Sequence, residues 1–393
     1  MTIDANIITL RAFLESSYGV HPGVGGVAIA GNKGAVSITP SAQRIERNNI
    51  RSHGSPQKSR KTAKVFDINI TVEMRGAGIT GGQVIAPEWD LLIRACGWEK
   101  RDGLRLAYDG AAGSPAPSHA VINTDQSNAS VGDVYEAITN ELFILQPKTS
   151  PNVPANDENL SMDSGGVTVV TNGAPKDMIV YKPYTTKNHE SLTFEFNYDG
   201  VEFVAKGSRG AVTMGWSTSN YPTLSFTFQG LYAVPTDDPI PTGLVYVVTD
   251  PEPVEGVTFR LGGTDMTNIM INQFDLNPGT QTRQRPGMQP STGIKEIKIG
   301  QQRTTSFTID PEMELLATLD VHTPWNDDTL QVLSAQLGDV SGERMRVTLP
   351  GVVYDDTSIT DDEDRKTTIS GTSVGEQVLT DGDDEMFIAL MEV

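Results

Sequence analysis

Apolar and polar residues alternate along several segments of the chain, and this pattern predicts β-strands. The clearest runs are Phe66–Met74, Leu192–Tyr198 and Leu224–Phe228. Alternation gives a strand one apolar face for a core and one polar face for water, as is typical of antiparallel sheets. Asp199 and Gly200 stand between two such runs and predict a two-residue hairpin turn. We therefore expect a mainly β protein.

Helical spacing occurs in three segments. The first begins at Pro87, carries an apolar stripe at Trp89, Leu92, Ile93 and Cys96, and ends at Gly97. The second begins near Asn326 or Asp327, after Trp325, carries Leu330, Leu333 and Leu337, and ends at Gly338. A weaker pattern near the N-terminus contains Ile7, Leu10 and Leu14. Spacing of three and four residues places each stripe on one face of a helix. Cys96 is therefore expected to be a buried thiol.

The order of these elements repeats along the chain, which predicts an internal duplication. In each half a strand leads into a long polar loop, and then come a strand, a helix and later strands. The first strands lie near Ala35–Thr39 and Ile269–Phe274, and the loops span Ser41–Lys64 and roughly Asn277–Gly293. We expect a first domain at 1–240 with an insertion at about 111–176, a Pro-rich linker at 241–256, and a divergent second domain at 257–393.

Composition and charge narrow the function classes. The chain has 393 residues, 37% hydrophobic and 20% charged, as in folded soluble proteins. Its formal net charge of -20 argues against binding of the whole chain to nucleic acid or anionic membranes, although acidity also serves solubility alone. With one cysteine there is no intramolecular disulfide, and we find no signal-peptide pattern and no apolar run long enough for a membrane helix. We expect folding in the cytoplasm of the producing cell.

Basic residues are concentrated in the two long loops, and acidic residues are concentrated near the C-terminus. The basic residues that we single out are Arg44, Arg47, Arg51, Lys58, Arg60 and Lys61 in the first loop, and Arg283 and Arg285 in the second. The acidic counter-surface candidates are Asp361, Asp362, Glu363 and Asp364. Complementary patches on one chain steer contact between its copies. The alternative is solvated loops with a chance charge bias.

Catalytic chemistry has little support in the sequence. The five histidines, at positions 21, 53, 119, 189 and 322, include no pair at helical ligand spacing. The acidic clusters Asp361–Asp364 and Asp381–Asp384 lack the spacing of a calcium-binding loop. We therefore name no catalytic, cofactor-binding or metal-binding residue, and we expect no cofactor and no enzyme activity.

Several motifs together resemble the major tail tube proteins of siphophages, the phages with long non-contractile tails. They are Leu14–Gly19, Ser37–Pro40, Pro87–Trp89, Leu91–Trp98, His189–Gly200, Gly207–Gly210 and Tyr221–Tyr232. Each motif is weak alone, but together they span most of residues 1–235. The second half is similar to the family only in its pattern. The stretch from Gly110 to about Lys176 departs from the family, and we interpret it as an insertion on the outer surface, with strands at Glu141–Leu145 and Val167–Val170.

The resemblance implies a structural virion protein with two tail-tube-type β-sandwich or barrel domains, each with a flanking α-helix. Subunits would join edge to edge into rings, and stacked rings would form the tail tube through which the genome passes without specific binding. Two units per chain favour trimeric rings with pseudo-sixfold symmetry. The family implies tape measure, tail terminator and distal tail proteins as partners, and assembly in the host cytoplasm. The alternatives are a β-sandwich surface module that binds a receptor or carbohydrate, and an enzyme with an unrecognised site.

Overall fold

A computed structural model gives the fold of the chain. It describes residues 8–47, 49–50, 55, 57–80, 83–107, 134–136, 142–146, 178–184, 189–246, 249–262, 264–290, 293–300, 302–338, 340, 342–361, 365–375 and 383–391. Most of the expected insertion, including the strand expected at Val167–Val170, lies outside these residues.

The first 240 residues contain fourteen of the described strands and one short helix. The strands are β1 (Ile8–Leu14), β2 (Val27–Ala28), β3 (Gly31–Ile45), β4 (Arg60–Glu73), β5 (Ile79–Thr80), β6 (Gln83–Val84), β7 (Trp98–Ala107), β8 (Val134–Glu136), β9 (Leu142–Gln146), β10 (Met178–Pro183), β11 (Leu192–Tyr198), β12 (Val201–Ser217), β13 (Thr223–Leu231) and β14 (Thr236–Asp237). The helix is α1 (Asp90–Arg94). β9 corresponds to the strand expected at Glu141–Leu145.

The remaining residues contain ten described strands and one short helix. The strands are β15 (Thr258–Leu261), β16 (Thr264–Asp265), β17 (Ile271–Asn277), β18 (Thr282–Pro286), β19 (Ile294–Ile299), β20 (Thr305–Pro311), β21 (Gln331–Leu337), β22 (Arg344–Asp361), β23 (Arg365–Ser373) and β24 (Phe387–Met391). The helix is α2 (His322–Asn326). The protein is mainly β, as the alternation predicts.

Two of the predicted helices are wrong. The segment with Leu10 and Leu14 is strand β1, which pairs antiparallel with β11 along its whole length. The segment that carries Leu333 and Leu337 is strand β21, and α2, the described helix that precedes it, ends at Asn326. β21 lies between β15 and β22, and six of its seven residues are buried. A strand covered on both faces has no polar face, so its leucine spacing is no guide to helix or strand.

The first predicted helix and the hairpin are confirmed. α1 lies inside the predicted segment, and Trp89, Leu92 and Cys96 are fully buried. Burial raises the pKa of the Cys96 thiol well above its ordinary value. Tyr198 pairs with Val201 across the turn, where Asp199 and Gly200 both have positive φ, as a type I′ turn requires.

One continuous antiparallel sheet joins the two halves of the chain. Its strand order is β3–β4–β13–β12–β17–β20–β23–β22. One face carries the alternating apolar residues, such as Phe66, Ile68 and Phe226, and these belong to a single core cluster that includes residues of both halves. A second layer contains β2–β1–β11 in the first half and β16–β15–β21 in the second.

The same pairing order occurs in both halves. β12 and β22 are long strands whose first part pairs with β11 or β21 in the second layer, and whose last part pairs with β13 or β23 in the joint sheet. Phe66 lies opposite Gly230 in the first half, and Phe307 lies opposite Gly371 in the second. Counted from these pairs, a residue in a regularly paired stretch of one half has an equivalent in the other half, which we call its register equivalent.

Candidate assembly surfaces

The two halves meet at two strand joints, because β10 pairs with β24 and, within the joint sheet, β12 pairs with β17. Met214 pairs with Leu276 and Trp216 pairs with Phe274, with antiparallel register. The Trp216 and Phe274 rings pack edge to face, with centroids 5.6 Å apart. All four side chains are buried. The β12–β17 joint therefore combines backbone pairing with an apolar contact on the core side of the sheet.

The two outer edges of the joint sheet have no neighbour within the described part of the chain. β3 pairs only with β4, and residues 353–361 of β22 pair only with β23. By register, Pro40 is the equivalent of Leu276, and Ile359 is the equivalent of Val212. Val212 is 3% exposed beside the joint, whereas Ile359 is 52% exposed at the free edge. An unpaired edge of this kind is a template for another strand.

The loop that links β17 to β20 is a docked hairpin. We call residues 278–304 the second arm; β18 and β19 pair within it, and Arg283 and Arg285 lie on β18. Ile294, Ile297 and Ile299 are buried, and Ile299 packs against Gly97 just after α1. The second arm therefore packs on the first half of its own chain, which the sequence did not predict.

Arg209 anchors this arm. Its Nη1 donates to Glu296 Oε1 at 3.0 Å and to the Ile297 carbonyl at 2.9 Å, and its Nε donates to the Glu190 carbonyl at 3.1 Å. The guanidinium also lies over the Tyr18 ring, 4.9 Å from its centroid. The Tyr18 hydroxyl accepts from the Ile297 amide at 2.7 Å. Desolvation on burial raises the pKa of Tyr18 to about 12.

Replacing Arg209 should loosen the second arm. Arg209→Ala leaves buried carbonyls without donors and breaks a mostly buried ion pair, so we expect a loss of about 3 kcal/mol in the free energy of unfolding. Arg285→Ser is the matched control, because Arg285 is half exposed and its Nη1 is 3.5 Å from Glu296; its effect should stay within about 0.5 kcal/mol. Urea unfolding measures the stability of both variants. Equal losses in the two variants would contradict the anchoring role of Arg209.

His189 makes the same region sensitive to pH. Desolvation, followed by the nearby charges of Arg209 and Arg303, lowers its pKa from 6.5 to about 4. Between these values the unfolded chain binds a proton that the folded chain does not, so stability should fall as the pH is lowered from about 6.5 to 4. Because the imidazole ring is partly solvated, we expect the free energy of unfolding to fall by about 1–2 kcal/mol over this pH range. His189→Gln should remove this part of the pH dependence in urea titrations. An unchanged pH profile would contradict the role of His189.

The loop that links β3 to β4 is shorter than the expected Ser41–Lys64 loop, because β3 runs to Ile45 and β4 begins at Arg60. We call residues 41–63 the first arm. Arg44 lies on β3, Arg60 and Lys61 on β4, and Arg47 and Lys58 between the strands, whereas Arg51 lies outside the described residues. Among the described residues, none of these five basic side chains forms an ion pair. Two apolar side chains are also uncovered, since Ile45 is 57% exposed and Ile50 is fully exposed.

The structure brings Asp355 and Asp356, which belong to the acidic C-terminal region, close to α2. Asp361 is the last residue of β22, and Asp362, Glu363 and Asp364 lie outside the described residues. Beside α2, however, Trp325 Nε1 donates to the Asp355 carbonyl at 3.4 Å. Asp355, Asp356, Asp327 and Asp328 are all exposed there. We call these four acids and Trp325 the α2 face. Trp325 and Asp355 are 30 residues apart in the chain, so their proximity is seen only in the folded structure.

Other chemistry is sparse in the described residues. They contain no group of three or more His, Cys, Asp or Glu side chains placed to hold a metal ion. None of their helices is long and apolar enough to span a membrane. No known protein family matches the chain, and no curated protein is significantly similar to it in sequence.

Proposed function

We propose that this protein is the subunit of a phage tail tube and that it polymerises through the edges of its joint sheet. The observation that carries the proposal is the internal joint between β12 and β17. One chain already contains two units with the same pairing order, joined edge to edge, and among the described residues one edge at each end of the sheet is unpaired. The free edges are register equivalents of the two joined strands, so a second copy can repeat the joint.

The strand directions also support a closed ring. All seven pairings in the joint sheet are antiparallel, so β22 of one copy and β3 of the next would meet antiparallel too. In this joint Asp361 of one copy would lie opposite Pro40 of the next, because they are the register equivalents of Met214 and Leu276, which pair within the chain. Three copies give six units and a barrel of 24 strands, with a backbone diameter of about 37 Å or more, which leaves an open bore. Strand pairing supports three copies. A helix after Trp325 is not needed for this, since that segment contains strand β21.

The polar face of the joint sheet suits a conduit for DNA. It carries Asp67, Glu73, Asp275 and Asp310 among hydroxyl and amide side chains, and Arg209 at one end of the face is paired with Glu296. Lys366, on the same face, lies 3.7 Å from Asp310 and is neutralised by it. Because basic contacts to phosphates are what hold DNA, an acidic wall would let a genome slide. We therefore propose that this face lines the bore.

Electron microscopy of the purified protein, combined with light scattering, tests the proposal. We expect hollow tubes built from rings of three chains, and trimeric rings under conditions that limit growth. A β-sandwich module that binds a receptor or a carbohydrate would remain a monomer or a small oligomer. A monomer at all concentrations and salt conditions would contradict the proposed function.

A further inference from the structure

The second arm indicates what an arm does when its neighbouring unit is present. It leaves the joint at Asn277 and packs on the unit across that joint, beside α1. Its isoleucines are covered there, with Ile297 fully buried and Ile299 6% exposed. Its acidic Glu296 meets Arg209 of that unit. Within this chain, therefore, an arm binds the next unit of the same sheet.

The equivalent place on the second half is not covered by an arm within the described part of the chain. Arg209 pairs with Gln229, and at the same register Asp356 pairs with Ser370, so Asp356 is the equivalent of Arg209. In the first half three residues of α1 are buried, and Ile299 of the second arm packs against Gly97 just after the helix. In the second half α2 has no buried residue, and Trp325 is 45% exposed. The α2 face thus lies where an arm would dock.

The first arm has the composition that would fit this face. It carries basic side chains without acidic partners among the described residues, and Ile45 and Ile50 without cover. The charges are reversed relative to the contact inside the chain. There the second arm supplies the acidic residue, Glu296, and the unit on which it packs supplies Arg209. On the second half, an arm carrying Arg44 and Arg47 would meet a unit carrying Asp355 and Asp356. Reversed signs keep each arm specific for its own site.

We propose that the first arm of one copy docks on the α2 face of the adjacent copy in the same ring. This inference rests on the proposed function for the existence of rings, and it adds which surfaces meet and where. It places the contact within a ring and not between stacked rings. The partner is a second copy of this chain.

A heterodimer that contains a single joint isolates this contact. Ile359→Asp blocks the β22 edge of one copy, and Pro40→Asp blocks the β3 edge of another, because each places a carboxylate where the internal joint is apolar. The first copy keeps its β3 edge and first arm, and the second keeps its β22 edge and α2 face. Mixed, the two full-length chains can form one joint only, and sedimentation gives its Kd.

Charge reversal on each side then tests the contact. Arg44→Glu with Arg47→Glu on the first copy should raise the Kd at least about tenfold, as should Asp355→Arg with Asp356→Arg on the second. Combining the two pairs should restore the Kd to within about threefold of the parent value. Arg283→Glu with Arg285→Glu is the matched control on the second arm, and it should leave the Kd within about twofold.

Each other outcome overturns the inference in a recognisable way. If reversal leaves the Kd unchanged but reduces tube yield, the first arm acts between rings. If both reversals weaken the dimer but the combination does not restore it, the two surfaces do not touch each other. If no heterodimer forms, the in-ring contact is wrong. Failure of the proposed function is separate, because the wild-type chain would then form no tubes even where the heterodimer shows the expected pattern.

Discussion

Ile359→Asp should abolish assembly and leave the single chain folded. Ile359 is 52% exposed in the free chain, so a carboxylate there should change the free energy of unfolding by less than about 1 kcal/mol. In a ring the same position would be covered, as its equivalent Val212 is beside the internal joint. Burying an unpaired carboxylate costs at least about 3 kcal/mol, which is more than a hundredfold in the affinity of each joint. Light scattering at increasing concentration measures the effect.

Two further variants control this experiment. Ile359→Val keeps an apolar side chain and should assemble like the wild type. Val212→Asp places the same charge at the buried equivalent position and should destabilise the single chain itself, since Val212 is 3% exposed. Assembly of Ile359→Asp at the wild-type concentration would mean that the β22 edge takes no part in subunit contact.

Trp216→Ala should cause a large loss of stability in the free chain. Trp216 is 1% exposed, and its ring packs edge to face on Phe274 and Phe259 of the second half. Removing a buried indole leaves a cavity between the two halves and should cost about 3–5 kcal/mol. Urea unfolding followed by circular dichroism should show a lower midpoint with an unchanged slope.

Trp216→Phe provides the matched comparison. The indole N–H has no hydrogen-bond partner among the described residues, so its removal breaks no bond. The remaining ring keeps most of the contact, and the expected cost is about 1–2 kcal/mol. A loss below about 1 kcal/mol for Trp216→Ala would mean that the joint contributes little to holding the halves together.

Local signals in the sequence predicted much of the fold. The strand at Phe66–Met74 alternates because one face meets the core, and the Asp199–Gly200 turn needs two residues that accept positive φ. α1 was predictable from Pro87 and Gly97 at its ends and an apolar stripe between them. β21 was not, because burial on both faces removes the alternation that marks a strand.

The candidate surfaces divide in the same way. The basic first arm is a local charge bias, so the sequence alone indicated it. The joint depends on pairing between Trp216 and Phe274, which are far apart in the chain and whose register no local pattern reveals. The α2 face likewise combines Asp327 with Asp356. The docking of the second arm could not be predicted, because its basic residues lie on the solvent side while the buried anchor, Arg209, belongs to the other half.

Disulfide trapping tests the central claim most directly, because it reads the register of the proposed joint. Asp361→Cys with Pro40→Cys, and Thr360→Cys with Ser41→Cys, place cysteines opposite each other between copies, and one of the two adjacent pairs is of the closer, non-hydrogen-bonded kind. Cys96 is buried and should not interfere. Mild oxidation of assembled protein should link three chains into a closed covalent ring on non-reducing gels. Asp361→Cys with Arg44→Cys, displaced by about 13 Å along the strand, should not link. Equal linking in the displaced pair, or none in either matched pair, would contradict the account.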